Sequence, residues 1–310
     1  MVNVLPDVVG EGPYACAVRR FIEEARATSE PVLLTGEPGS GKELTAKLIH
    51  QGSSRRRDPF LMIDCSLFYE KELKRELYGY RLGAAGESER KGILEFASRG
   101  TCYLSRVEEL SRGLQADLLR FLIQGRFSRL GDGKEIASDA RIVVSSDKNL
   151  EGFVRAGLFD RALHERLSSH FLHLFPLRER KEDIPLVAAA MAAAWAGGSP
   201  AETHMTFASE AIEALQAYPW PANFEELQKE VHRLCDRGLR LVRPEDLAIE
   251  IASFWLGRKG DPEIRKVVEE IDGYIREFRI LSRLEPCLGA LLYADGDSFF
   301  EMHRDILEEL

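Results

Sequence analysis

The run Gly36-Glu37-Pro38-Gly39-Ser40-Gly41-Lys42 constrains this chain more than any other stretch. It has the spacing Gly-x-x-x-x-Gly-Lys, and the residues before it, Pro31-Val32-Leu33-Leu34-Thr35, read as a short buried strand. After it, residues 43–50 place Leu44, Leu48 and Ile49 on one helical face. Strand, glycine loop and helix in that order predict a phosphate cradle. Glycines let the main chain curl until its N–H groups converge, the lysine adds a point charge, and the helix presents its positive end. The candidate ligand is therefore ATP or ADP, held by Gly36, Glu37, Pro38, Gly39, Ser40, Gly41 and Lys42. Glu43 stands where a Ser or Thr would reach Mg²⁺, so any Mg²⁺ would be held through the nucleotide phosphates only.

The rest of the chain predicts the scaffold. Residues 14–27 have helical spacing, and further strands are expected at 60–64, 101–104 and 141–145. Helices are expected between them at 70–77, 93–97 and 114–124. This alternation predicts an α/β class with a mostly parallel sheet between helices. Beyond Pro176 the strand signal disappears, and 184–196, 209–217, 224–237 and 244–251 read as helices. The expected domains are an α/β nucleotide-binding domain over 1–178, a helical lid over 179–256 and an extension over 257–310. Helical spacing resumes in that extension through Ile264, Val268, Ile271 and Ile275, whereas 287–293 fits a strand or a helix.

Composition removes several classes. The formal charge of -9 argues against a chain built mainly to coat nucleic acid. Its compact basic run, Arg55-Arg56-Arg57, reads as a solvated loop. The five cysteines are scattered and never spaced Cys-x-x-Cys, which suggests neither a disulfide framework nor a zinc site. Cys65 and Cys102 lie in or beside apolar runs and read as small buried residues. The seven histidines do not cluster at metal-ligand spacing. Trp195 and Trp220 are expected to pack within the lid, and the alanines of 188–194 to permit close helix packing. No run of about 18 apolar residues and no signal segment is present, so a cytoplasmic protein with no membrane contact is expected.

Several separate motifs in order then resemble the AAA+ domain of bacterial sigma-54-dependent transcription activators. Besides 36–43, where that family carries Glu after the lysine, they are Glu76-Leu77-Tyr78-Gly79, Arg90-Lys91-Gly92 with Glu95, and Gly100-Thr101. They continue with 114–120, Gln124-Gly125-Arg126-Phe127, 176–185 and Trp220-Pro221-Ala222-Asn223. The resemblance covers about 8–255 and implies an AAA+ core with a helical lid. It extends the nucleotide site to Val9, Glu43 and Leu44.

The departures fall on residues that do chemistry. The family's Walker B strand ends in Asp-Glu, for metal and water, and those positions here are Ser105 and Arg106. Glu108 and Glu109 are the substitute acids at hand, two or three residues further on. The sensor Asn aligns with Asp147, expected to repel a γ-phosphate, and the lid arginine aligns with Glu225. Of the two arginines that reach a neighbour's site, one aligns with Asp160 and the other is Arg166, with Arg161 beside the lost position. The sigma-54 contact motif is shortened to Gly83-Ala84-Ala85-Gly86, which argues against sigma-54 contact. No helix-turn-helix is legible in 258–310, whose end is rich in Glu and Asp, so DNA binding is not expected; a receiver domain ahead of residue 8 is not legible either. The reading that accounts for most of this is a regulatory pseudo-ATPase that holds ATP or ADP and works through a protein partner, itself or a related AAA+ subunit. The alternatives are a working ATPase using Glu108 or Glu109, and a regulator that binds DNA directly.

Overall fold

A computed structural model of the chain describes residues 8–81, 89–196 and 205–258. It divides into two compact units, the first ending at Arg243 and the second beginning at Pro244. The first unit opens with helix α1 (Pro13–Arg26), strand β1 (Val32–Gly36), α2 (Lys42–Gly52) and β2 (Phe60–Asp64). Next come α3 (Glu70–Tyr78), a two-residue pairing of β3 (Gly79–Tyr80) with β4 (Arg90–Lys91), and the short α4 (Ile93–Phe96). After them lie β5 (Thr101–Ser105), α5 (Arg112–Gln124), the hairpin of β6 (Arg126–Ser128) and β7 (Glu135–Ala137), and β8 (Arg141–Ser146). The α/β part closes with α6 (Leu150–Arg155), α7 (Arg161–Leu167) and β9 (His170–Leu174).

Five strands form one parallel sheet in the order β2-β5-β8-β1-β9. The period of two in its inner strands divides the core. Leu33, Cys102, Leu104, Ile142 and Val144 point to one face, where they pack with Leu73, Leu114, Leu118 and Leu163. Val32, Leu34, Tyr103 and Val143 point to the other, against Val18 and Ile22 of α1 and Ala46 and Ile49 of α2. Because all five strands run the same way, the carboxyl ends of β1, β5 and β8 lie on one edge of the sheet, the usual place for a ligand in such sheets.

Helices α8 (Ile184–Trp195), α9 (Ser209–Ala217) and α10 (Asn223–Asp236) follow. Pro185 opens α8, and Ala188, Ala192 and Ala193 on it are fully or almost fully buried, which lets its neighbours approach closely. Trp220 is 0% exposed; its indole N–H donates to Leu215 O at 2.7 Å, and its ring meets Tyr218 edge-on at 5.1 Å. Trp195, by contrast, is half exposed and stacks on His232 at 4.0 Å.

Three expectations change. A fifth strand, β9, pairs with β1 from Val32–His170 to Gly36–Leu174. Its alternation is half exposed at the sheet edge, so it lacks the continuous apolar run that marks the inner strands. Strands also persist past Pro176: β10 (Thr206–Phe207) pairs in parallel with β11 (Leu241–Val242), although each is only two residues long. In the second unit, 244–251 is not one helix. Pro244–Asp246 forms a 3-10 turn, and helix α11 runs over Ile249–Arg258. The readings for 83–86 and for 259–310 fall outside the described residues. Among the described residues no helix is long and apolar enough to cross a membrane.

Trp220→Ala removes the largest fully buried side chain and its hydrogen bond. The expected loss is about 3–5 kcal/mol of unfolding free energy, measured by urea denaturation; a loss under about 1 kcal/mol would refute its assigned place in the core.

Candidate nucleotide-binding site

The loop between β1 and α2 lies at the carboxyl edge of the sheet. Gly39 has φ +72°, and a Cβ there would stand 2.3 Å from Ala222 O, so a side chain at this position is excluded twice over. Helix α2 begins at Lys42, and its first closed backbone bond is Thr45 N–H to Gly41 O at 2.9 Å. The amides of Lys42, Glu43 and Leu44 therefore precede the intrahelical ladder, as an anion site requires.

The Lys42 ammonium is buried and makes three short contacts. It donates to Gly36 O at 2.8 Å and Glu37 O at 2.7 Å, and it pairs with Asp147 Oδ1 at 2.7 Å. Asp147 reaches it because β8 pairs with β1 through Thr35–Ser146, so the residue after Ser146 emerges beside the loop. From behind, Glu108 Oε1 accepts the Asp147 N–H at 3.0 Å. Burial raises the Glu108 carboxyl above the ordinary glutamate range, partly offset by the hydrogen bonds it accepts. Glu109 turns the other way and pairs with Lys148 at 2.9 Å.

Register explains Arg106 in the same way. Ser105 ends β5 opposite Asp64 at the end of β2. Arg106 then adopts φ 54°, the left-handed region, and its guanidinium forms a two-pronged pair with Asp64, with Nε to Oδ1 at 2.8 Å and Nη2 on Oδ2. Where the resemblance implies two acids, the structure thus places a hydroxyl and an engaged cation. That donor set does not suit a protein-held divalent ion, which needs several free oxygens. Among the described residues no group of three or more His, Cys, Asp or Glu has a metal-holding arrangement.

The helices past residue 176 grip the loop from above. Arg178 clasps Glu37 with two 2.7 Å bonds, Asn223 Nδ2 donates to Pro38 O at 2.9 Å, and Phe224 N–H donates to Gly39 O at 3.0 Å. Arg180 is buried, donates to Ser40 O at 3.1 Å and lies over the Phe224 ring at 4.3 Å. Asn223 Oδ1 also accepts the Leu177 N–H at 2.7 Å, so one amide joins the loop to the start of this segment. Together these elements enclose a cavity of about 370 Å³, whose lining includes Lys42, Asp64, Arg106, Asp147, Phe224 and Glu225.

Two family models match the chain: the sigma-54 interaction domain over residues 8–173 and the AAA+ ATPase lid domain over 178–253. The chain belongs to the sigma-54 interaction domain family. Among its relatives, the Nif-specific regulatory protein of Bradyrhizobium diazoefficiens is 36% identical over 77% of this chain and 41% of its own length. The anaerobic nitric oxide reductase transcription regulator NorR of Aeromonas salmonicida is 33% identical over 86% of this chain and 52% of its own. The crystal structure of NtrX from Brucella abortus in complex with ATP superposes with a TM-score of 0.70 at 30% identity, over 93% of this chain and 67% of that one. The chain thus spans about half or less of the length of these curated regulators.

Within this sigma-54 interaction domain the expected residues scatter only slightly. Pro38, Gly39, Gly41, Lys42, Glu43 and Leu44 line the cavity. Ser40 is buried beneath it, and Gly36 and Glu37 face a separate cavity of about 610 Å³ beside His164 and His173. Val9 lies in the segment that Arg19 ties down through Val8 O and Gly10 O, outside the cavity lining. Asp160 caps α7 by accepting the Leu163 N–H at 2.8 Å; Arg161 opens that helix, and Arg166 pairs with Glu30 at 2.5 Å. The contributions of Asp64, Tyr103, Phe224 and Gln228 to the lining were not anticipated. For Asp64 a signal existed, since it ends a parallel strand at the ligand edge.

The folded protein holds the Glu108 proton more tightly than the unfolded chain, so this group makes stability fall as pH rises from the ordinary glutamate range through its folded pKa. Glu108→Gln keeps an acceptor for Asp147 N–H and removes the titration. Its stability relative to the parent is therefore expected to rise as pH increases above the ordinary glutamate range, read by denaturation at each pH; a parallel pair of curves would contradict the assignment.

Proposed function

We propose that this chain is a nucleotide-holding regulator of transcription or signalling. It binds ATP or ADP at the phosphate loop, hydrolyses it poorly or not at all, and acts through protein contacts. One observation carries the reading. The loop keeps its geometry and its lysine, while Arg106 stands at the water-orienting position and is engaged by Asp64. With Ser105 and Arg106 where the resemblance implies two acids, those positions offer no carboxylate to hold a metal or to orient a water molecule. The substitute acids also have other engagements, Glu108 with the Asp147 N–H and Glu109 with Lys148, which weighs against the working-ATPase reading.

The regulatory role is supported by kinship with transcription regulators, and it belongs to proteins that this chain matches over 41% and 52% of their length. In this reading the domains run 1–178, 179–256 and 257–310, and nucleotide occupancy sets the angle of the helical part through Arg178, Asn223 and Phe224. The partner is a second copy or a related AAA+ subunit, met through the Arg161–Arg166 helix, in the cytoplasm. Sigma-54 contact through 83–86 and direct DNA binding are not part of the proposal.

Calorimetric titration is expected to detect nucleotide binding that Lys42→Ala abolishes, together with no Mg²⁺-dependent phosphate release above the buffer rate. Rapid Mg²⁺-dependent ATP turnover that Lys42→Ala abolishes would overturn the proposal.

A further inference from the structure

A phosphate-loop lysine has three N–H donors, and its usual task is to meet oxygens of the β- and γ-phosphates. In this chain all three directions are taken. Two go to main-chain carbonyls of the loop itself, Gly36 O and Glu37 O, and the third goes to a carboxylate oxygen of Asp147 at 2.7 Å. A carboxylate and a terminal phosphoryl group are both compact anions with oxygens at hydrogen-bonding distance, so they compete for the same ammonium.

Asp147 is not a loose surface group free to yield that place. Its N–H is held by Glu108, which is 7% exposed, and the next turn is closed by Ser146 Oγ, which accepts the Lys148 N–H at 3.1 Å and donates to Lys148 O at 2.9 Å. Two further cations line the cavity, and both are paired: Lys47 with Glu43, and Arg106 with Asp64. Counting charged side chains on the lining, Lys42, Lys47 and Arg106 stand against Glu43, Asp64, Asp147 and Glu225, which is three positive and four negative. A third phosphate would bring further negative charge against Asp147 with no free cation among these residues to meet it, and like charges at such distances repel strongly in a partly buried site. The α- and β-phosphates are met by further donors, the loop amides and the start of α2, which the Asp147–Lys42 pair does not occupy.

We infer that Asp147 is a built-in stand-in for the γ-phosphate, so that this site selects a nucleoside diphosphate over the triphosphate and holds it without a divalent metal. The inference rests on the nucleotide-holding reading above and adds which nucleotide is held and which residue decides it.

The test is calorimetric titration of the full chain with ADP and with ATP, each in Mg²⁺ and in EDTA, for the parent, Asp147→Asn and Asp147→Ser. Both variants remove the charge and keep the main-chain bond to Glu108, and thermal melting checks that each is folded. The parent is expected to bind ADP at least about tenfold more tightly than ATP, a ratio that EDTA changes by less than about twofold. In either folded variant the ratio is expected to narrow to within about threefold, mainly through tighter ATP binding. ATP bound as tightly as ADP by the parent, an ADP preference that needs Mg²⁺, or a ratio that neither variant moves would each overturn the inference. Equal binding of the two nucleotides would leave the nucleotide-holding reading intact, whereas no binding of either would remove that reading and this one together.

Discussion

An ammonium group buried at the end of a sheet must find acceptors, because leaving such a charge unpaired costs far more than a typical hydrogen bond returns. Lys42 finds three within 2.8 Å, and they come from two places: the end of β1 with its loop, and the residue that follows β8. The contact therefore depends on the parallel pairing of those strands, and in turn it draws the loop and the Asp147 turn together. Glu108 supports the turn from beneath, so the ion pair is backed by a buried acid rather than by solvent. Around this point the other features of the site fall into place, including the left-handed residue Arg106 and its clasp on Asp64.

The same loop is gripped from its opposite side by groups that lie 140 to 186 residues away in sequence. Arg178 and Asn223 both meet Glu37, and Asn223 and Phe224 take the carbonyls of Pro38 and Gly39. A carbonyl taken by a distant donor ties two segments together, since any movement of one must break bonds to the other. The glycines make this possible, because at Gly39 even a methyl group would collide with Ala222. The cavity is thus lined both by the loop and by Met191, Phe224, Glu225 and Gln228 of the helices above it.

Much of the frame was legible from residue order. The inner strands β1, β5 and β8 and the edge strand β2 are short apolar runs, and the helices between them keep the 3.6 period, so the expected ends of both lie close to the observed ones. The other edge strand, β9, is less legible, because histidines at 170 and 173 interrupt its apolar run and its alternate residues face solvent. The two-residue strands β10 and β11 lie below the length at which periodicity carries information. The 3-10 turn at Pro244–Asp246 was hidden for a related reason, since a single tight turn imitates the first turn of a helix in composition.

What the sequence by itself determined was the phosphate cradle, the α/β class, and the identity of the residues at the positions where the resemblance implies acids. Those are matters of local pattern and of which side chain occupies which motif position. The tertiary structure decided what the replacements do. From sequence, Asp147 read as a carboxylate that would repel a γ-phosphate; folded, it is also the third partner of Lys42. Ser105 and Arg106 read as lost chemistry, yet Arg106 is the partner of Asp64 on the neighbouring strand. Both outcomes depend on strand register, which brings residues more than forty and more than one hundred positions apart to the same edge. Register is set by how all the strands share one core, so no local stretch of the chain contains it.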